Sequence, residues 1–191
     1  HTIPQEFIVD TLEKIDNPIG LSGRRLEGHV HLVTASTSGM DNLIESAEEL
    51  GININGLVFK PLASAIPTLT KDEMKLGVSL IDIGSTTTSI AVFNEGAVRH
   101  SAVIPVGSSS ITNDIAVMLR ISIEEAEKIK IKYASAKASL SSQKLEFEIP
   151  NSEDNQMISE NELSQYVEAR MEEIFQLAFN EIKRAGIDNN L

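Results

Sequence analysis

Residues 77 to 93 read Gly77-Val78-Ser79-Leu80-Ile81-Asp82-Ile83-Gly84-Ser85-Thr86-Thr87-Thr88-Ser89-Ile90-Ala91-Val92-Phe93. Two apolar runs are joined by a turn of small residues with one acid at its lip. Val78, Leu80, Ile81 and Ile83 predict a first strand, Ile90, Val92 and Phe93 a second, and Gly84 to Thr88 the bend between them. A bend of this kind can turn backbone N–H groups toward an anion. Gly84 has no Cβ to hinder a phosphate, the Ser85, Thr86 and Thr87 hydroxyls can donate to its oxygens, and Asp82 could hold a hydrated Mg²⁺. The same residues also make an ordinary hairpin with a threonine-rich turn, and the local sequence leaves both readings open.

Outward from the hairpin, Pro61 suits the first turn of a short helix running to Leu69, and residues 70–77 read as a charged connection. Asn94-Glu95-Gly96 turns the chain into a third strand over residues 97–106, so three consecutive strands form a meander. Further toward the N-terminus, residues 2–10 and 24–34 alternate as half-buried strands around a loop marked by Asn17-Pro18-Ile19-Gly20 and Ser22-Gly23. Residues 40–50 place Leu43, Ile44, Ala47 and Leu50 on one helical face, Gly51 caps that helix, and residues 54–59 resume as a strand. Residues 2–59 thus read as a small strand, strand, helix, strand unit. After the meander, Ser108 to Ser110 precede a helix to about Leu119, and Ser122 with Glu125 forms a capping box for a second helix to about Tyr133. A Ser/Ala-rich loop over residues 134–143 leads to a strand with Leu145, Phe147 and Ile149 on one face, then a surface loop over residues 150–156. A second capping box, Ser159 and Glu162, opens the longest helix, whose stripe of Leu163, Val167, Met171, Ile174, Ala178 and Ile182 runs to a stop at Gly186.

Composition narrows the partners. The chain of 191 residues is 41% hydrophobic and 23% charged, as in ordinary globular proteins, with a formal net charge of −12. So acidic a chain, whose longest basic cluster is Arg24-Arg25, is a poor nucleic-acid binder and is repelled by an anionic membrane surface. Zero cysteines exclude a disulfide scaffold and thiolate zinc. No apolar run approaches the ~20 residues of a spanning helix. The chain opens at His1 inside an alternating stretch, which reads as a piece of a longer protein cut at both ends.

Other constellations are weaker. His29 and His31 alternate onto one strand face, a spacing used by zinc sites, but no third ligand is adjacent and an exposed polar face explains them better. His100 has no obvious nucleophile partner. Glu127 and Lys130 lie three apart on a predicted helix and can reach one neighbouring group; a surface ion pair is the plainer reading, and it serves equally for Glu168 and Glu172 around Arg170. There is neither a Gly-x-x-x-x-Gly-Lys-Ser/Thr loop nor a Gly-x-Gly-x-x-Gly.

The order of these signals is more specific than any one of them. His1-Thr2-Ile3-Pro4-Gln5-Glu6-Phe7, Asn17-Pro18-Ile19-Gly20-Leu21-Ser22-Gly23-Arg24-Arg25-Leu26-Glu27, Pro61-Leu62-Ala63-Ser64-Ala65, Ile104-Pro105-Val106-Gly107 and Thr112-Asn113-Asp114-Ile115-Ala116 closely resemble the FtsA family of bacterial cell-division proteins, members of the actin and heat-shock-chaperone ATPase superfamily. The likeness extends through Tyr133 and thins after Ala134. It implies an α/β (α+β) fold: an actin-like ATPase lobe, with a ribonuclease H-like sheet and helices, over residues 60–191, and an incomplete strand-helix-strand (SHS2-like) interaction subdomain over residues 1–59. It further implies that Asp82, Gly84, Ser85, Thr86 and Thr87 form the second phosphate hairpin of an ATP site, with Mg²⁺ reached from Asp82 through water, and that Glu127 and Lys130 flank the sugar and base.

By the same resemblance, the complete protein is a scaffold rather than a motor, cytoplasmic and held at the inner face of the cell membrane at the division site. Its partners are the C-terminal tail of the tubulin-like FtsZ, expected beside Glu168, Arg170 and Glu172, other copies of itself, and later division proteins reached through residues 1–59. The first phosphate hairpin is expected before His1, and the adenosine loop and membrane helix after Leu191, so this stretch alone is expected to be inactive and to make no direct membrane contact. The family usually reads Asp-Ile-Gly-Gly-Gly-Thr-Thr-Asp where this chain has Ser85 and Thr86 for glycines and Ser89 for the acid, and each added Cβ narrows the approach of backbone to phosphate. A nucleotide-hydrolysing ATPase and the pilus-assembly actin-like proteins are the rival readings; the latter lack the string from Asn17 to Glu27.

Overall fold

A computed structural model describes residues 1–149, 156–184 and 186. They form two compact units, the first built from His1–Leu80 and Ile90–Ser101, the second from Ile81–Ser89 and Ala102–Arg184.

The first unit opens with β1 (Thr2–Val9), β2 (Leu12–Ile15) and β3 (Leu26–Leu32), an antiparallel sheet in the order β2-β1-β3. Alternation predicts β1 and β3 but not β2, whose Leu12-Glu13-Lys14-Ile15 has no alternating pattern and is folded back by a reversal at Asp10, φ +55°. The Asp10 carboxylate then accepts from the Arg24 and Arg25 N–H groups, both at 2.9 Å, and so ties down the end of the loop that follows. Helix α1 (Thr37–Glu48) starts earlier than predicted because the Ser36 side chain accepts from Gly39 N and caps it. The strand predicted over residues 54–59 does not form: the stretch is irregular, with Val58 67% exposed. An apolar run such as Leu57-Val58-Phe59 is not enough, because a strand also needs a neighbour's N–H and C=O groups, and no sheet of the described residues takes this segment in.

Helix α2 (Lys60–Thr68) carries Pro61 in its first turn as expected. The charged connection after it is instead a helix, α3 (Lys71–Leu76), because Thr70 and Glu73 cap each other: Glu73 N donates to Thr70 Oγ1 at 3.2 Å and Thr70 N to Glu73 Oε2 at 2.7 Å. Strands β4 (Val78–Ile83), β5 (Thr88–Asn94) and β6 (Ala97–Ile104) make the expected meander in the order β4-β5-β6. Glu95 and Gly96 take φ +53° and +80°, the left-handed pair that a two-residue hairpin turn requires. Ala65, Ala91, Phe93 and Val98 form the core here, with Ile3, Leu62, Leu69 and Met74 packed on it. His29 pairs with Glu6 at 2.9 Å and His31 with Ser101 Oγ at 2.8 Å, and among the described residues no three acidic, His or Cys groups gather as metal ligands.

In the second unit, α4 (Ser108–Leu119), α5 (Ile123–Tyr133) and α6 (Glu160–Arg184) surround a two-stranded ribbon of β7 (Glu146–Glu148) and β8 (Met157–Ser159). The first predicted capping box is complete, with Glu125 N donating to Ser122 Oγ at 3.2 Å and Ser122 N to Glu125 Oε2 at 3.3 Å, and at the second Glu162 N donates to the Ser159 hydroxyl oxygen at 3.1 Å. Strand β8 was not expected; it is too short for a period to show. Ile111, Ile115, Ala126, Ile129, Phe147, Ile158, Leu163 and Val167 pack together, and Tyr133 stacks on Phe147 with ring centres 4.0 Å apart. The predicted stripe of α6 is buried at Leu163, Val167, Ile174, Ala178 and Ile182. Apart from Gln156, the surface loop predicted at residues 150–156 lies outside the described residues.

Candidate functional site

The hairpin turn between β4 and β5 is closed by a Gly84 N–H donating to Thr87 O at 2.9 Å, and Ser85 and Thr86 at its tip are exposed. Its carbonyls are taken up by the start of α4: Ser108 N donates to Gly84 O at 2.9 Å, Ser109 N to Ser85 O at 2.8 Å, and Ser109 Oγ to the same oxygen at 2.7 Å. The Thr88 hydroxyl donates to Val106 O at 2.8 Å on the chain leading into the helix. The approach is backbone to backbone. A Cβ on Gly107 would stand 2.5 Å from both Gly84 O and Ser85 O, so only glycine fits there. Helix N-termini leave N–H groups free for anions; here the first of them are occupied by the turn, and α4 locks the hairpin in place instead.

One helical turn further along α4, Thr112 meets α5. Its hydroxyl lies 2.5 Å from Glu127 Oε2 and 2.9 Å from Lys130 Nζ, and Lys130 and Glu127 are themselves 2.7 Å apart. Lys130 Nζ also reaches Ser108 O at 3.4 Å. The spacing of three places Glu127 and Lys130 on one face of α5, and that face turns onto α4 rather than into open solvent. The Lys130 ammonium, then the Thr112 hydroxyl, hold the Glu127 carboxyl below the ordinary carboxylate range, so Glu127 is anionic at neutral pH.

These groups border an open cavity of about 670 Å³ lined by Ser85, Ser108, Ser109, Thr112, Asn113, Ile123, Glu124, Glu127, Lys128 and Lys130. Of the residues expected from sequence, Ser85, Glu127 and Lys130 come together here. Asp82, Gly84, Thr86 and Thr87 lie on the strand and turn beside Ser85, outside the lining. Thr112, Ser108 and Ser109 were not anticipated. With hydroxyls, two carboxylates and two ammonium groups around an aliphatic side chain, Glu124 paired with Lys128 and Glu127 with Lys130, both at 2.7 Å, the lining suits a ligand that carries hydroxyls and an apolar ring.

The second expected constellation is divided between two places. Arg170 forms a fork with Asp114 of α4, Nε to Oδ2 at 2.7 Å and the Nη2 nitrogen to Oδ1 at 2.9 Å, and also pairs with Glu173. Glu168 instead binds Lys137 and accepts from Ala138 N at 2.9 Å, fastening the short 3₁₀ turn Ala138–Leu140 to α6. Glu172 is exposed. Asp114, Val117, Met118, Tyr166, Ala169, Arg170 and Glu173 line a groove of about 420 Å³ between α4 and α6.

Comparison with known proteins settles the lineage. The family described as cell division protein FtsA matches residues 79–186, and the SHS2 domain inserted in FtsA matches residues 1–34. The chain belongs to the FtsA family. The cell division protein FtsA of Pseudomonas aeruginosa is 40% identical over 191 residues, covering 99% of this chain and 46% of that protein. FtsA of Buchnera aphidicola is 43% identical over 186 residues, 96% of this chain and 44% of its own length, and FtsA of Escherichia coli K12 is 36% identical over 184 residues, 95% and 44%. The chain thus spans a little under half the length of these FtsA relatives. Among solved structures, MreB5 of Spiroplasma citri bound to AMPPNP superposes with a TM-score of 0.64 at 19% identity, over 78% of this chain and 48% of that one. At that identity the likeness concerns the fold, which is mixed α/β and actin-like, as the resemblance to FtsA implied.

Proposed function

We propose that this chain is part of an actin-like FtsA scaffold that binds ATP, associates with itself and tethers FtsZ filaments to the inner face of the cytoplasmic membrane at the division site. The observation that carries the ATP reading is the cavity beside Ser85, where Glu127, Lys130 and Thr112 are fixed by one another and by α4. MreB5, whose fold this chain shares, was solved with AMPPNP and with ADP. In this reading Glu127 accepts sugar hydroxyls from its place in the cavity, Lys130 flanks the sugar and base beside it, and the Ser85, Thr86 and Thr87 hydroxyls of the adjoining turn donate to phosphate oxygens. Mg²⁺ fits differently. The Asp82 carboxylate suits an ion carried in by the triphosphate and reached through water, not an all-protein cage. When bound, the ion would offset phosphate charge.

The FtsZ tail belongs, in this reading, to the groove between α4 and α6, where Val117 and Tyr166 are 79% and 45% exposed beside Arg170. Residues 1–59 are proposed as the interaction subdomain for self-contact and for later division proteins. Among the described residues no helix is long and apolar enough to cross a membrane. Calorimetry with Mg-ATP tests the proposal: the full-length protein should bind in the micromolar range and this chain far more weakly. Contacts worth about 1 kcal/mol each on one half of a clamp fall short of the ~8 kcal/mol that micromolar binding needs. No binding by the full-length protein would refute the ATP reading.

A further inference from the structure

We propose that Thr112 is the positioning residue of the cavity: its hydroxyl sets the Glu127 carboxylate to receive the hydroxyl pair of a ribose. The inference rests on the nucleotide reading above and adds to it the group that makes Glu127 selective. Thr112 is 3% exposed, and its Oγ1 stands between Lys130 Nζ at 2.9 Å and Glu127 Oε2 at 2.5 Å. The chemistry fixes the direction of this chain of bonds. An ammonium has only protons to give, so the hydroxyl accepts from Lys130, and its single proton goes to the carboxylate. The alternative acceptor, Ser108 O, is more distant at 3.3 Å.

The consequence falls on Glu127. Its Oε2 receives both Thr112 and Lys130, the latter at 2.7 Å, while among the described residues no hydrogen bond reaches Oε1. A carboxylate pinned through one oxygen by two donors presents the other in a fixed direction. The side chain remains 44% exposed, so without that hold it would sample several rotamers and would have to be ordered by the ligand. A site prepared in this way favours a ligand bearing a hydroxyl over an analogue lacking it, because the carboxylate lone pairs lose water and gain nothing when the hydroxyl is absent.

The test titrates ATP, 2′-deoxy-ATP and 3′-deoxy-ATP by calorimetry into the full-length protein as wild type, Thr112→Val and Thr112→Ser. Valine keeps the volume and branching of threonine and removes only the hydroxyl. The wild type should prefer ATP over at least one deoxy analogue by about tenfold or more. Thr112→Val should lose most of that preference, with ATP weakened about tenfold and the deoxy analogue changed less than about twofold, and Thr112→Ser should keep it. A merely structural role for Thr112 would weaken all three ligands alike and leave the ratio intact; that result overturns the proposal while ATP binding stands. A wild type without a preference for the ribose also overturns it. A wild type that binds none of the three refutes the nucleotide reading itself, and this proposal with it. If Thr112→Val does not fold, Thr112→Ala replaces it under the same criteria.

Discussion

Replacing Gly107 by alanine should be among the most damaging single-methyl changes in this chain. Gly107 has φ −154° and ψ −166°, an extended conformation open to any residue, so the cost is steric and not conformational. The added Cβ would lie 2.5 Å from Gly84 O, 2.5 Å from Ser85 O and 2.7 Å from Ser85 C, all backbone atoms that cannot swing aside. Relief requires α4 and the hairpin turn to separate, which stretches the Ser108 N to Gly84 O and Ser109 N to Ser85 O bonds, now 2.9 and 2.8 Å. Over-packing of this kind costs about 1 to 3 kcal/mol and each lost backbone hydrogen bond about 1 kcal/mol, giving roughly 3 to 5 kcal/mol together. For a chain of this size, 1 kcal/mol moves the midpoint by about 2 to 4 °C, so a fall of roughly 6 to 20 °C is expected in the transition that carries α4. Urea and thermal unfolding followed by circular dichroism read it directly. A Gly107→Ala protein within about 0.5 kcal/mol of wild type, with no change at the Thr112 and Glu127 resonances, would refute the backbone docking of α4 on the turn.

Gly39→Ala is the matching control, because its Cβ would find Ser36 Cβ at 3.8 Å and nothing closer; inside α1 it should raise stability by about 0.5 to 1 kcal/mol in the same assay, and a loss would contradict the placement of Gly39 within the helix. A double-mutant cycle of Arg170→Ala and Asp114→Ala should give a coupling of about 1 to 3 kcal/mol, since the fork is charge-assisted and only 28% and 36% exposed, and a coupling near zero would remove the Asp114 fork from the folded state. Glu127 is held below its unfolded pKa of about 4.3, so its contribution is present above that pH and disappears as pH falls through the lower folded value. Acid titration of unfolding should therefore show a shallower loss below about pH 4.5 for Glu127→Gln than for wild type, and identical slopes would remove the Lys130 and Thr112 bonds from the folded state.

Much of the fold was legible because its elements announce themselves locally. The meander follows from the apolar runs on either side of the Gly84 to Thr88 turn and the Asn94-Glu95-Gly96 turn, and α5 from Ser122 with Glu125, signals contained within a few residues. Helix α3 carries the same kind of signal in Thr70 and Glu73, but its six residues show no apolar period to go with it. The irregular stretch at residues 54–59 differs in kind. Leu57, Val58 and Phe59 form a short apolar run as a strand can, yet whether a strand forms depends on a partner that no window of sequence contains. Strand β8 is the reverse case, three residues whose pairing of Ile158 with Phe147 makes a strand where sequence shows none.

The site divides along the same line. Spacing places Glu127 and Lys130 on one face of α5, but what that face meets depends on how α4 crosses it, and Thr112 is 15 residues away in sequence. Arg170 and Asp114 are 56 residues apart, and the charge pattern of α6 offers Glu168 and Glu172 as equally good partners. The hairpin turn is the most instructive. The residue types from Gly84 to Thr88 point to what N–H groups and hydroxyls can give an anion, whereas the carbonyls of Gly84 and Ser85 are what fix the turn to α4, by accepting from Ser108 and Ser109. A backbone carbonyl leaves no mark in the sequence. The trace lies on the other side of the contact, at Gly107, where any side chain would hold α4 away from the turn and, with it, Thr112 away from Glu127.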